Sequence, residues 1–106
     1  MHKVVFLINK KSGMDQDEFR QYLNETHSPI ASRLPGLRKY VLNHILPDPE
    51  GNQPAFDGFV ELWFDDSSAY AAALESPEGV ASLEDVGNFV DVDKMFGFDV
   101  DEILII

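Results

Sequence analysis

Apolar runs of strand length alternate with helical stretches in the order strand, helix, strand, strand, helix, strand, and this order constrains the fold more than any other feature of the chain. Val4–Ile8 is a continuous, largely β-branched run, and Ser12-Gly13 closes it. A helix start follows. Asp15 can cap, Glu18 sits where the reciprocal partner belongs, and Met14 and Phe19 hold the two staple positions. Phe19, Leu23, Ile30 and Leu34 mark the apolar face, with Tyr22 and Thr26 beside it. Pro29 lacks the amide proton that a helix interior needs. Ser28 as a new cap and Pro29 as a first helical residue therefore predict a break or kink just after His27.

Pro35-Gly36 ends this helix, Leu37–Leu46 reads as the second strand, Pro47–Pro54 as a turn-rich loop and Phe56–Phe64 as the third strand. Asp65-Asp66-Ser67 caps a short helix with Tyr70 and Leu74 on its inner side. Ser76-Pro77 then restarts a helical stretch carrying Val80, Leu83 and Val86. The segment from Met95 through Ile106 is the last strand, and its Ile103–Ile106 end is an aggregation-prone edge unless something covers it. The whole predicts one α+β domain over residues 1–106, a split βαβ arrangement in which a helical layer covers one face of a four-stranded antiparallel sheet.

The middle hairpin predicts what the two faces carry. With the pairing centred in the loop, Val41 opposes Leu62, Asn43 opposes Val60 and Ile45 opposes Gly58, an aliphatic face for the helices. The other face then pairs Tyr40 with Trp63, Leu42 with Glu61 and His44 with Phe59. So many aromatic groups are not expected on a solvated face. A second copy of the chain is the simplest cover, and an apolar surface with a few convergent polar groups suits a small-molecule pocket.

Composition excludes several classes of partner. A net charge of −11, from 19 acidic and 8 basic residues spread along the chain, opposes nucleic acid and anionic membranes. The absence of cysteine removes disulfides, thiolate metal sites and a cysteine nucleophile. Three scattered histidines and dispersed aspartates form no metal-ligand spacing, and no Gly-rich phosphate loop follows the first strand, so neither a metal nor a nucleotide cofactor is expected. No stretch has the length of a membrane span, and a cytoplasmic protein is the default expectation.

The candidate site residues each have two readings. His27 is a proton shuttle at a pocket mouth, or a polar plug beside Pro29. His44 is a pocket-lining base or a satisfied core histidine. Glu61 amid aromatics is expected to hold its proton more tightly than usual and to assist as acid or base; the structural reading is an ion pair with Arg38 or a lysine. Tyr40, Phe59 and Trp63 grip a ligand ring or simply pack. Asp57 reads as a turn residue.

Several segments resemble the EthD family. They are Lys3-Val4-Val5-Phe6-Leu7, then Asp17-Glu18-Phe19-Arg20-Gln21-Tyr22 leading to His27-Ser28-Pro29, and Leu34-Pro35-Gly36-Leu37-Arg38-Lys39-Tyr40 with Asn43-His44. Phe56-Asp57-Gly58-Phe59-Val60-Glu61-Leu62-Trp63-Phe64, Ser76-Pro77-Glu78-Gly79 and Asn88-Phe89-Val90-Asp91 complete the series. The resemblance implies a ferredoxin-like subunit, a dimeric α/β barrel, and a pocket between sheet and helices or within the barrel. It also implies a histidine of interest at His27. Similar barrels act as cofactor-free monooxygenases, isomerases, cyclases and dehydratases, and some only bind. Two expectations follow. One is a cofactor-independent oxidoreductase or isomerase acting on a hydrophobic or aromatic metabolite, with His27 or His44 moving a proton. The other is a non-catalytic accessory protein of a degradation pathway. A third reading, a dimer whose polar face only fixes association, needs no ligand at all.

Overall fold

The computed structural model describes residues 1–106. Strands β1 (His2–Ile8), β2 (Lys39–His44), β3 (Gly58–Phe64) and β4 (Phe96–Val100) form one antiparallel sheet in the order β2-β3-β1-β4. Helices α1 (Gln16–Gln21), α2 (Ser28–Ala31), α3 (Ser67–Glu75) and α4 (Pro77–Val86) supply the other layer. This is the ferredoxin-like α+β arrangement that the element order predicts.

The caps form where the sequence places them. Asp15 Oδ1 accepts from the Glu18 amide at 2.8 Å, Asp66 Oδ1 from Ala69 at 2.7 Å and Ser76 Oγ from Gly79 at 3.0 Å. Each is worth about 1 kcal/mol. The predicted break at Ser28-Pro29 takes a different form. Between α1 and α2 the chain keeps turning through a π-helical segment, Tyr22–His27, and Ser28 N–H reaches back to the Leu23 carbonyl. Pro29 has no amide proton to offer, and the wider turn absorbs that loss without ending the helix. The Asn24 carbonyl takes a proton from Ser28 Oγ instead, at 2.6 Å.

The hairpin register is one residue away from the expected one. Tyr40 opposes Leu62, Leu42 opposes Val60 and His44 opposes Gly58, while Lys39, Val41 and Asn43 oppose Trp63, Glu61 and Phe59. β1 dictates this, because Val4, Phe6 and Ile8 pair with Leu62, Val60 and Gly58 and fix which side of β3 faces the helices. Asp57 locks the offset: its backbone carbonyl takes the Ile45 amide, and its carboxylate takes the Lys10 amide at 2.7 Å and Gln16 Nε2 at 2.7 Å. Gly58 is required at this point, since a Cβ there would sit 2.7 Å from the Asn43 carbonyl oxygen. A one-residue slip exchanges the faces of β2. Tyr40 and His44 therefore lie on the helix side, opposite to Trp63, Phe59 and Glu61, and the expectation that all five share one face is overturned.

The core has two halves. Ile8, Phe19, Leu23, Phe89 and Val90 form one and Leu34, Leu62, Phe64 and Ala73 the other, and Phe6 and Val60 pack against both. The last strand is shorter than expected. It ends at Val100, and the chain then crosses the outer face of the sheet, where Glu102 meets Lys3 Nζ at 2.8 Å and Trp63 Nε1 at 2.9 Å. Ile103–Ile106 are exposed beyond it.

Candidate functional site

Between the sheet and the helices lies a cavity of about 90 Å3. The sheet contributes Phe6, Tyr40, Val60 and Leu62, the π turn contributes Leu23 and His27, and Tyr70, Leu74, Leu83 and Val86 come from α3 and α4. Leu83 both lines the cavity and is 54% exposed, so it marks the mouth. Fifteen of the 18 lining residues are hydrophobic, and none carries a permanent charge.

The polar groups are few and ordered. His27, only 7% exposed, points Nδ1 at Asp85 Oδ2 across 2.8 Å. A carboxylate only accepts, so Nδ1–H donates, and the neutral ring carries its lone pair on Nε2. Asp85 Oδ1 in turn accepts from Tyr22 Oη at 2.6 Å and from Asn88 Nδ2 at 3.0 Å. Burial alone would raise the Asp85 carboxyl, but the bonds from Tyr22, His27 and Asn88 outweigh it and hold the group below its ordinary value. The bond to Asp85 and burial push the Tyr22 phenol up. Phe89 fixes both rings, stacking on Tyr22 at 4.9 Å and lying 4.8 Å from His27.

Asp85 lies outside the cavity wall, shielded by the imidazole. The arrangement is therefore an imidazole held in one tautomer by a carboxylate, beside an apolar chamber that it helps to line. Tyr40 also lines the chamber. Burial pushes its phenol up to about 12, and no protein group takes its hydroxyl proton.

The structure divides the other candidates from this site. His44 faces the helices away from the cavity wall and donates through Nε2 to Asn24 Oδ1 at 2.9 Å; burial and the nearby Arg20 lower its proton affinity. Glu61 lies on the outer face, 2.7 Å from Lys3 Nζ and 2.8 Å from Asn43 Nδ2. Burial would raise its carboxyl, but Lys3 and Asn43 lower it on balance, the reverse of the expected shift. The lysine partner anticipated for Glu61 is Lys3; Arg38 instead forks onto Asp65 at 3.0 and 2.9 Å. Trp63 is held between the Lys3 and Lys39 ammonium groups, 4.7 and 4.6 Å from its ring, and Phe59 shares that face. Phe59 and Trp63 therefore cannot grip a ligand that His27 touches. Asp57 is more than a turn residue, as its four-way anchoring of β1, β2 and the α1 start shows.

Asp85 is the residue that sequence reasoning missed. In the sequence it reads only as one of several dispersed aspartates without metal-ligand spacing. The signal was available: Ser82, Asp85, Val86 and Phe89 recur at helical spacing, which places a carboxylate on the inward stripe of α4.

The sequence profile of the EthD domain matches residues 11–93. An uncharacterised 11.0 kDa protein from the thcB-thcC intergenic region of Rhodococcus erythropolis is 25% identical over 89 residues, 84% of each chain. An EthD family protein of Bacillus halodurans superposes with a TM-score of 0.81 at 24% identity, covering 97% of this chain and 100% of its own. A dimeric ferredoxin-like protein of Thermobifida fusca follows at 0.71 and 17% identity, covering 95% and 90%.

Proposed function

Because the chain belongs to the EthD family, whose shared fold does not specify one reaction, we propose that it takes a hydrophobic metabolite into the helix-side cavity and that His27 moves a proton on it without a bound cofactor. The observation that carries this reading is the 2.8 Å bond from His27 Nδ1 to Asp85, which leaves Nε2 as the only basic nitrogen on the apolar chamber. A merely structural histidine has no need of a carboxylate itself held by two further donors.

Proton removal leaves an electron-rich anion. Dioxygen can oxidise such an anion, which is oxidoreductase chemistry, and reprotonation at another atom is isomerisation. Both share the step assigned to His27. His44, Glu61, Phe59 and Trp63 take no part in it. The cavity is smaller than the ~150 Å3 that encloses benzene in an engineered apolar site. A compact ligand fits as the wall stands, and an aromatic ring needs the mouth at Leu83 to give way.

The working unit is proposed to be a homodimer. The outer face of the sheet presents Val5, Leu7, Val41, Phe59, Phe96 and Phe98, and the last two are about half exposed. That surface is an apolar patch of the kind monomers avoid. A second copy laid over it would also meet the Ile103–Ile106 segment. Dimeric relatives of the same fold are consistent with this arrangement.

The test is proton exchange. Compact ketones and quinols are incubated with the protein in heavy water and followed by NMR. The wild type should accelerate loss of the acidic proton of at least one of them, and His27→Ala should lower that rate by about 10²–10⁴-fold. An unchanged rate in His27→Ala overturns the assignment. Ligand-dependent stabilisation without any exchange would leave a binding protein.

A further inference from the structure

Resting on that reading of His27, we propose that Tyr40 is a second catalytic residue, whose hydroxyl holds the oxygen of a neutral, compact carbonyl compound while His27 takes the proton from the adjacent carbon.

Three observations point to that substrate class. First, no lysine, arginine, aspartate or glutamate lines the chamber, so nothing there balances a charged ligand. Second, besides the Ser82 hydroxyl, the chamber is lined by one imidazole, that of His27, and by two phenols, Tyr40 and Tyr70, whose hydroxyls have no protein hydrogen-bond partner. A hydrocarbon would leave these hydroxyls unpaired beside it, whereas one carbonyl oxygen gives them a partner. Third, Tyr40 is the more deeply set of the two phenols and lies on β2, anchored by the sheet, while Tyr70 packs against Phe64 and His2 near Asp99. A donor on a rigid strand does not have to reorganise as charge develops on the oxygen in front of it.

The step balances without an oxidant. The C–H bond α to the carbonyl breaks and its proton passes to Nε2 of His27. The electron pair becomes the carbon–carbon double bond, and the carbonyl π pair moves onto oxygen, where Tyr40 Oη–H donates to it. Asp85 stabilises the imidazolium through Nδ1–H and stays ionised. Return of the proton to the same carbon gives exchange, and return to another carbon gives an isomer. Burial keeps the Tyr40 phenol protonated far above neutrality, so it remains a donor throughout this step.

Cyclopentanone is a suitable probe, being neutral, enolisable and no bulkier than a benzene ring, so that only the mouth at Leu83 has to yield to admit it. Its α-proton exchange in heavy water is followed by NMR with the wild type, Tyr40→Phe, His27→Ala and, as a control on the opposite sheet face, Glu61→Gln. Tyr40→Phe should lower the exchange rate about 10²–10³-fold with little change in the concentration needed for half-saturation. Glu61→Gln should match the wild type. A Tyr40→Phe rate within twofold of the wild type, with His27→Ala silent, overturns the role of Tyr40 and leaves the base standing. No exchange by the wild type, with this ketone or with the next larger cyclic ketones, overturns both. The carbonyl ¹³C signal of labelled cyclopentanone bound to the unaltered protein gives a check that needs no variant. It should lie downfield of its position in an apolar solvent; a hydrocarbon-like position removes the hydrogen bond and the proposal with it.

Discussion

Replacing Asp85 by Asn tests the central pair without changing its shape. Asp85 Oδ1 accepts two bonds, from Tyr22 at 2.6 Å and Asn88 at 3.0 Å, whereas Oδ2 accepts one, from His27 at 2.8 Å. An asparagine keeps the most bonds by leaving its oxygen toward Tyr22 and Asn88 and turning its amide nitrogen to His27. The imidazole must then accept at Nδ1 and carry its proton on Nε2, the nitrogen that faces the chamber. The base is lost although every heavy atom stays in place. The rate of proton exchange should fall by about 10⁴-fold, as when a triad carboxylate is made an amide. Stability should fall less. Two charge-assisted bonds become neutral ones, at about 1 kcal/mol each, and a third is reversed, for a total of roughly 2–3 kcal/mol.

The pH dependence has a definite sign. The folded-state Asp85 carboxyl is depressed, so its stabilisation is fully present above the ordinary carboxylate value and disappears as pH falls through the lower, folded one. The gap between wild type and Asp85→Asn should therefore be constant near neutrality and close at acid pH. Denaturant titrations from neutral to acid pH measure the gap, and ¹⁵N shifts of the His27 ring report the tautomer. A lost rate with Nδ1 still protonated, or a gap that does not depend on pH, refutes the reasoning.

Three further substitutions separate the two sheet faces and the helix packing. Phe98→Asp puts a charge on the apolar outer face, on edge strand β4, and sedimentation should show a dimer become a monomer with its far-UV dichroism intact; equal masses for the two proteins count against the dimer. Glu61→Gln removes the charge that Lys3 pairs with, and should lower the denaturation midpoint by an amount equivalent to roughly 1–2 kcal/mol while leaving proton exchange unaltered. Gly79→Ala should be severe, roughly 2–4 kcal/mol by thermal melting, because the added Cβ would overlap the carbonyl oxygens of Ala73 and Leu74. Both contacts are backbone, so no side-chain rotation relieves them, and a neutral result would mean that α3 and α4 are not packed this closely.

Much of the fold was legible because its signals are local. Asp15, Asp66 and Ser76 announce helix starts through side-chain oxygens that only a nearby amide can use, and each forms its cap. The order of apolar runs then leaves few ways to build a sheet. What failed was parity in β2. Tyr40 and Leu42 alternate with Val41, Asn43 and Ile45, so both sides of the strand read as apolar, and the choice between them is made elsewhere, by β1 pairing with β3 and by Asp57 clamping the hairpin root. The observed pairing is centred on Gly51, half a residue from the centre that the expected register takes, and no rule of turn chemistry separates the two within Pro47–Pro54.

That same offset decides what the molecule can do. With the expected register, Tyr40 would share a face with Glu61 and Trp63, and any pocket would lie between subunits. With the observed one, Tyr40 enters the helix-side chamber that His27 also lines, and Glu61 is consigned to an ion pair with Lys3 on the outer face. The two faces then divide the work. The outer one carries the half-exposed Phe96 and Phe98, and the inner one brings His27 and Tyr40 to the same chamber. His27 reaches that inner face as the last residue of the π turn, two residues before Pro29, and its partner Asp85 arrives from α4, 58 residues along the chain. A proline expected to break or kink the helix instead follows a wider turn that ends at His27. Neither half of the pair is chemically useful alone: Asp85 without the imidazole is a buried charge behind a wall, and His27 without the carboxylate has no reason to keep its proton on Nδ1.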